Sequence, residues 1–276
     1  PYMIWLGQKM GRHTFFNFFE AFGFTQRTGI DLPGEADSLY FSEDELNIVE
    51  LATSSFGQNF SITPIQMITA IAAVANGGYL VQPHVVDRML DSDGNIVKTT
   101  DTSYKRQVIS EDVSKRMTAI LQKNATSESG KNGYVAGYRV AGKTGTSEKV
   151  ALYYQDLAEG NDRGMQYVVS YGGYAPADDP QYALLVFYDE PQIGGASGGT
   201  QAGPIFAAIM EEVLPYLGVD PQYTEAEYEN LSATAPNVIG MTMAEAKSHL
   251  EEQGFSGTVV GDAEDDALVT VQVPSP

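Results

Sequence analysis

The chain has 276 residues, with 36 acidic and 16 basic side chains and a formal net charge of −20. A hydrophobic share of 43% is enough to bury a core and excludes a disordered chain, while the acidity argues against binding a phosphate backbone. The absence of cysteine excludes disulfides and cysteine-ligated zinc and leaves the compartment open.

Charge divides the chain. Residues 1–218 hold 25 acids and 15 bases, whereas residues 219–276 hold 11 acids and one base, Lys247. Half the net charge thus sits in the last 58 residues, which marks a domain boundary. The acidic, core-poor stretch 219–234, with Pro221, reads as a linker between a domain at 1–218 and a small one at 235–276. The chain starts at Pro1 on an apolar segment without a basic n-region, as a piece cut from a larger protein would. The longest mostly apolar stretch, 62–75, is too short to span a bilayer and contains Gln66.

In chain order, Met3, Ile4 and Leu6 lead to a helix stop at Gly11. Thr14 is expected to cap a second helix with Phe15, Phe18, Phe19 and Phe22 on one face, ending at Gly23. Ser42-Glu43-Asp44-Glu45 reads as a capping box opening a helix, and Thr63-Pro64 as an N-cap followed by proline at the first helical position. The helix after Thr63 is expected to turn Ile65, Ile68, Ile71, Ala72 and Ala75 inward and to stop at Gly77-Gly78. Strands are expected over 85–90 and 96–99, flanking the hairpin signal Asp93-Gly94. Ser110 opens a helix with Val113, Met117, Ile120 and Leu121 inward. Three strands follow, over 138–149, 167–174 and 182–188. Pro204 opens a last helix with Phe206, Ile209, Met210 and Val213 on one side. Helices, then antiparallel strands, then a terminal helix point to an α+β domain.

The chemistry centres on Lys143-Thr144-Gly145-Thr146 in the strand 138–149. Three bases and one acid lie between Arg139 and Lys149, so this strand is locally cationic in an acidic protein. Lysine between Ala141, Gly142 and Gly145 is a poor core residue, and the small neighbours let a backbone or ligand approach. Lysine for charge and two threonines for directed hydrogen bonds suit a carboxylate-bearing substrate, and all three are expected to point into one groove.

K-T-G belongs with S-x-x-K and S-D-N to the serine set of β-lactamases and penicillin-binding proteins. Ser54-Ser55-Phe56-Gly57-Gln58, Thr63-Pro64-Ile65-Gln66, Asn76-Gly77-Gly78 and Pro83 resemble the stretch preceding K-T-G in class B penicillin-binding proteins. Gly173-Tyr174-Ala175-Pro176 with Asp179-Pro180 resembles the family's next strand and turn. In the tail, Pro236-Asn237-Val238-Ile239-Gly240-Met241-Thr242, Ala244-Glu245-Ala246-Lys247, Leu250 and Gly254-Phe255 resemble a PASTA module, with Thr242 as helix cap and strands over 258–261 and 269–273. The module is expected to be incomplete at Pro276. No serine has lysine three residues on or asparagine two residues on, so the chain carries neither S-x-x-K nor S-x-N and is expected to begin just after the latter.

The resemblance implies a penicillin-binding-protein-like α+β domain, an antiparallel sheet packed with helices, plus a small β-α-β-β PASTA domain. It implies a D,D-transpeptidase that cross-links peptidoglycan stem peptides ending in D-Ala-D-Ala by serine acyl transfer, without a cofactor. Lys143 is then expected to steady the S-x-N serine and supply positive potential. Thr144, Gly145 and Thr146 would bind the substrate, with the Thr146 N–H as half of the oxyanion hole. Expected partners are stem peptides, β-lactams, cell-wall fragments at the PASTA module and other division or sporulation proteins, with no nucleic acid. The expected location is the outer face of a Gram-positive-type cell membrane, reached through an N-terminal anchor. The alternatives are a serine β-lactamase or carboxypeptidase, disfavoured by the PASTA-like tail, and a penicillin- or muropeptide-binding sensor without turnover. A Ser-His-Asp hydrolase would need His13, His84 or His249, each with an ordinary surface or core role, and a metal site would need more than the solvated turns at Asp178-Asp179 and 262–266.

Overall fold

The computed structural model describes residues 2–161, 163–192, 195–231, 236–255, 257, 259, 261 and 264–272. Two units divide the chain, residues 1–222 and 223–276.

The first unit opens with α1 (Tyr2–Met10) and α2 (Arg12–Ala21), separated by Gly11 at φ 80°. The turn at Gly11 starts α2 at once, since the Phe15 N–H already donates to the Gly11 carbonyl. Thr14 therefore lies inside the helix and does not cap it. Phe19 is buried among Phe15, Phe24, Tyr40 and Phe60, while Phe18 faces solvent. The Ser42–Glu45 bonds form but close only a turn; α3 (Ile48–Ser54) starts later, capped by Asn47. Thr63 caps α4 (Pro64–Ala75) in a capping box with Gln66, as the sequence predicts. The most buried face of α4 is Gln66, Thr69, Ala70 and Ala73, displaced from the expected isoleucine stripe. Gln66 explains part of that displacement: its Nε2 donates to the Gln26 carbonyl at 2.8 Å and its Oε1 accepts from the Thr63 N–H at 2.8 Å.

A two-stranded sheet joins β1 (Tyr79–Val81) to β4 (Tyr104–Gln107), and another joins β2 (Arg88–Leu90) to β3 (Ile96–Thr99) around Asp93-Gly94. The expected strand at 85–90 begins only at Arg88, because the Val85 and Val86 N–H groups donate to the Asp31 carboxylate. Ser110 caps α5 (Glu111–Ala125), in which Ser114 and Ala125 are buried; of the inward stripe expected, Leu121 packs on the core and Met117 is half-buried, while Val113 and Ile120 are exposed.

The main sheet has the order β5-β6-β7, all antiparallel: β5 (Ala141–Glu148), β6 (Tyr167–Ala175) and β7 (Tyr182–Asp189). Between β5 and β6 lies α6 (Val150–Glu159), which the sequence reading did not anticipate. Its buried residue is Asp156, held by Arg163 at 2.7 and 3.0 Å, while Val150, Tyr154 and Leu157 are exposed. The chain re-enters through a π-turn at Gly198–Ala202 into α7 (Gly203–Tyr216). Phe206, Met210 and Leu214 of α7 pack with Tyr138, Val140 and Tyr171 on one face of the sheet; Leu214 takes the inward place expected of Ile209, which is exposed. Burying each of these large side chains contributes about 1.5–3 kcal/mol. On the other face, Ala141 and Tyr174 meet Ile71 and Val74 of α4 and Leu121 of α5.

The second unit holds α8 (Glu225–Leu231), inside the stretch read as a linker, and α9 (Met243–Glu252). Thr242 caps α9 in a box with Glu245, Ala246 is buried, and Gly254 ends the turn at φ 79°. Of the strand expected at 269–273, the described residues 269–272 form no strand: Val269 exchanges backbone bonds with Met241 and Gly240, next to an isolated bridge between Thr242 and Leu268. Val273 and, in the strand expected at 258–261, Thr258 and Val260 lie outside the described residues, as do 232–234 of the expected linker.

Candidate active site

Strand β5 is an edge of the sheet, paired to β6 on one side only. The Gly142 carbonyl accepts from Asn124 Nδ2 at 2.7 Å, and the Thr144 carbonyl accepts from Lys143 Nζ at 2.6 Å. Both acceptors therefore turn away from β6. The period of two in an antiparallel pair then turns the N–H and C=O of Thr146 outward as well. The outer edge of β5 thus offers a row of peptide groups that the sheet does not use.

Side chains alternate across the same strand. Lys143 and Gly145 lie on the face of Ser170, Gly172 and Leu185, where with Thr144 of the same strand and Met67, Ile71, Val74 and Leu121 they line a cavity of about 200 Å³. Thr144 and Thr146 lie on the opposite face, beside the π-turn: Gly198 N–H donates to Thr146 Oγ1 at 3.2 Å, and a Cβ on Gly199 would meet Thr144 Cγ2 at 3.4 Å. Lys143 and Thr144 thus both line the cavity, as expected, whereas Thr146 is not among its lining residues. The three side chains reach one ligand around the rim of the strand, the lysine from one face and the threonines from the other.

Lys143 keeps an exposed side chain, and no acid forms an ion pair with it among the described residues. Protein around it removes enough water to lower its pKa below the ordinary 10.5, by desolvation of the ammonium. An unpaired cation at a sheet edge leaves its charge available to an anion. Glycines bring the parts together. A Cβ at Gly145 would lie 2.4 Å from Ser170 Oγ, and one at Gly198 would lie 2.4 Å from the Gly145 carbonyl oxygen. Beneath, Tyr171 is fully buried, donates to the Gly130 carbonyl at 3.1 Å, and has its phenol pushed up to about 12 by burial.

Three contributors escaped the sequence reading. Asn124 reaches β5 from the last turn of α5, Ser170 faces Gly145 across the register, and Gly198-Gly199 closes over the threonine face. Only the Gly-Gly pair carries a local signal, that of a close backbone approach. Of the histidines, His13 bonds Glu43 and Asn17, and His84 bonds the Gln82 carbonyl, both exposed.

The family described as the penicillin binding protein transpeptidase domain matches residues 1–211, and the PASTA domain matches residues 233–276. Stage V sporulation protein D of Bacillus subtilis is 38% identical over 256 residues, covering 91% of this chain and 38% of that protein. The peptidoglycan D,D-transpeptidase FtsI of Escherichia coli K12 is 29% identical over 204 residues, covering 74% of this chain and 32% of that protein. The chain thus spans about a third of the length of these relatives. Among solved structures, penicillin-binding protein 3 of Mycobacterium tuberculosis complexed with aztreonam superposes with a TM-score of 0.69 at 26% identity, over 80% of this chain and 50% of that one.

Proposed function

This chain belongs to the penicillin-binding protein transpeptidase family and carries a PASTA domain, and from that premise we propose that it is the substrate-recognising part of a peptidoglycan D,D-transpeptidase. The observation that carries the reading is the outer edge of β5, where peptide groups turned away from β6, a lysine without an ion pair among the described residues and two threonines line one rim. In the reaction a serine attacks the D-Ala-D-Ala amide carbonyl, the terminal D-Ala leaves as an amine, and an amine of a second stem peptide takes the acyl group. Lys143 supplies positive potential and steadies the serine of the S-x-N motif. The hydroxyls of Thr144 and Thr146 hold the substrate carboxylate beside Gly145, and the Thr146 N–H is half of the oxyanion hole. The serine is not in residues 1–276, where no Ser-x-x-Lys occurs, so the enzyme needs sequence beyond this chain.

In this reading residues 1–218 form the transpeptidase portion, 219–234 a linker and 235–276 the PASTA domain, which receives cell-wall fragments. β-Lactams occupy the stem-peptide site. The site works on the outer face of the membrane of a Gram-positive-type cell, among division or sporulation proteins, a setting supported by the sporulation protein among its relatives. No described helix is long and apolar enough to cross a membrane.

Fluorescent penicillin tests the assignment. The chain alone should show no covalent label after denaturing electrophoresis, and the longer protein that includes the Ser-x-x-Lys segment should label and lose the label on competition with unlabelled penicillin. A labelled band from the chain alone would place the nucleophile elsewhere.

A further inference from the structure

Helix α7 ends at Tyr216, and the chain that leaves it stays bonded to the first unit. The Val219 N–H donates to the Leu214 carbonyl at 2.9 Å, and the Val219 side chain packs on the core. Tyr138 Oη donates to the Val219 carbonyl at 3.2 Å, and the Gln222 N–H donates to the Gly137 carbonyl at 2.7 Å. Arg139 completes the set. Its Nη2 donates to Gln222 Oε1 at 3.0 Å and lies 2.8 Å from Asp178 Oδ2, while its Nε donates to Asp178 Oδ1 at 3.0 Å. The anchors Gly137, Tyr138 and Arg139 are consecutive and lead into β5. Arg139 holds φ at 45°, a left-handed conformation that a residue with a side chain adopts only where its surroundings hold it. Gln222 is exposed, and a polar cavity of about 410 Å³ opens beside it and Arg139, so bonds rather than apolar packing hold Gln222 in place.

Two residues on, the chain is bonded again. Thr224 caps α8: its N–H and Oγ1 donate to Glu227 Oε2 at 2.7 and 2.9 Å, and its carbonyl accepts from the Tyr228 N–H at 2.9 Å. Tyr223 stands between the two bonded ends, and its ring meets that of Tyr228 edge-on at 5.3 Å. We infer that Arg139 is a clasp that confines the hinge between the two units to Tyr223. While the clasp is closed, one residue must absorb the φ/ψ changes of any reorientation; once it opens, the hinge extends over 220–223. Release of 220–222 adds up to about 10 Å of free chain, at about 3.3–3.6 Å per extended residue. Arginine suits the task because its planar fork serves a carboxylate and an amide oxygen at once, whereas the ammonium of lysine is a point charge without that fixed geometry. The clasp uses no part of the function proposed above and stands whatever ligand the site takes.

The test is amide hydrogen exchange and ¹⁵N relaxation on the whole chain. In the wild type the amide of residue 222 should exchange at least about tenfold more slowly than a free amide, as a bonded group in a locally closed state does. Gln222→Ala trims an exposed side chain and leaves that amide in place. In this variant its protection should fall by at least about fivefold and backbone order should drop over 220–223, while the amides of Tyr171 and Met210 exchange as in the wild type. Arg139→Lys, which keeps the charge beside Asp178, and Arg139→Gly, which suits the positive φ, should show the same loss. A general loss of stability would speed the Tyr171 and Met210 amides too; should either Arg139 variant do so, Gln222→Ala decides alone. Protection of residue 222 that survives in Gln222→Ala overturns the clasp, as does a wild-type Gln222 amide that exchanges like a free one.

Discussion

Thr146 and Gly198 are joined by a hydrogen bond, the Gly198 N–H donating to Thr146 Oγ1 at 3.2 Å. The bond uses a lone pair of the hydroxyl and leaves its proton free to donate to a ligand. It also fixes the rotamer that faces the π-turn, since Gly198 fits against Gly145 only without a Cβ. The threonine face of β5 is therefore held in place before any ligand arrives, which lowers the cost of binding. On the lysine face the Lys143 ammonium donates to the neighbouring Thr144 carbonyl at 2.6 Å, a contact with which a ligand anion must compete.

Lys143→Ala in the longer, catalytically complete protein should slow penicillin acylation by at least an order of magnitude, because a charge-assisted contact to a carboxylate is worth about 1.5–3 kcal/mol. Lys143→Arg should retain part of the rate, as the charge stays and the shape changes. Stopped-flow acylation with a chromogenic β-lactam measures it, and an unchanged rate in a folded Ala variant would leave Lys143 as an ordinary surface residue.

The pH dependence of Lys143 has a definite sign. Desolvation disfavours its charged form in the fold, so its pKa lies below the 10.5 of a free lysine. The unfolded chain then holds this proton to higher pH than the folded one. Lys143 therefore costs stability while charged, and stability rises with pH between its lowered pKa and 10.5. Anion binding moves the other way and should weaken as pH rises through that lowered pKa. Titration of the Lys143 side chain by ¹³C NMR should give a midpoint below 10.5, with the peptide affinity falling over the same range. A midpoint at or above 10.5 would contradict the desolvated setting.

Gly142→Ala should destabilise the first unit. An added Cβ would lie 2.6 Å from both Cε1 and Oη of Tyr171, a fully buried ring that also leaves no room for a Cβ at Gly133. Overpacking of this kind costs about 1–3 kcal/mol. Combined with Tyr171→Leu, the Ala substitution should cost less than it does alone, and urea melts of the four proteins close the cycle. Additive losses would mean the strand shifts away from Tyr171 at no cost.

Much of this frame is legible in the sequence where a local signal decides the outcome. Thr63, Ser110 and Thr242 cap helices because each hydroxyl reaches a backbone N–H within three residues, and the strand around Lys143 falls where its small and β-branched residues place it. Signals fail where packing chooses among equals. Helix α4 is apolar on every side, so contacts with the sheet and the buried Gln66 network select its inner face. Helix α6 inverts the usual pattern, with Asp156 inside and Tyr154 outside, because Arg163 supplies the partner that an apolar core cannot. Asn124 meets Gly142 across 18 residues, a contact that no local pattern encodes. The division of Lys143 from Thr144 and Thr146 was within reach, since alternation along a strand demands it.

Thr146 carries two roles that can be separated. Thr146→Ala keeps the backbone N–H and removes the hydroxyl, together with the acceptor for Gly198. It should weaken ligands that bear a carboxylate and leave ligands without one nearly unaffected. Thr146→Pro removes the N–H but also damages the strand, so it cannot isolate the backbone role. Replacing the Thr146 amide by an ester through semisynthesis removes the N–H and nearly preserves shape. Because that N–H points away from β6, the sheet loses no ladder bond, and the fold should survive. Loss of one oxyanion donor typically lowers the rate by about 10²–10³. The acylation rate of the complete enzyme should fall by that amount for ligands with and without a carboxylate alike, whereas Thr146→Ala should discriminate between them. An ester variant that acylates at the full rate would remove the Thr146 N–H from the oxyanion hole and leave the outer edge of β5 with a binding role alone.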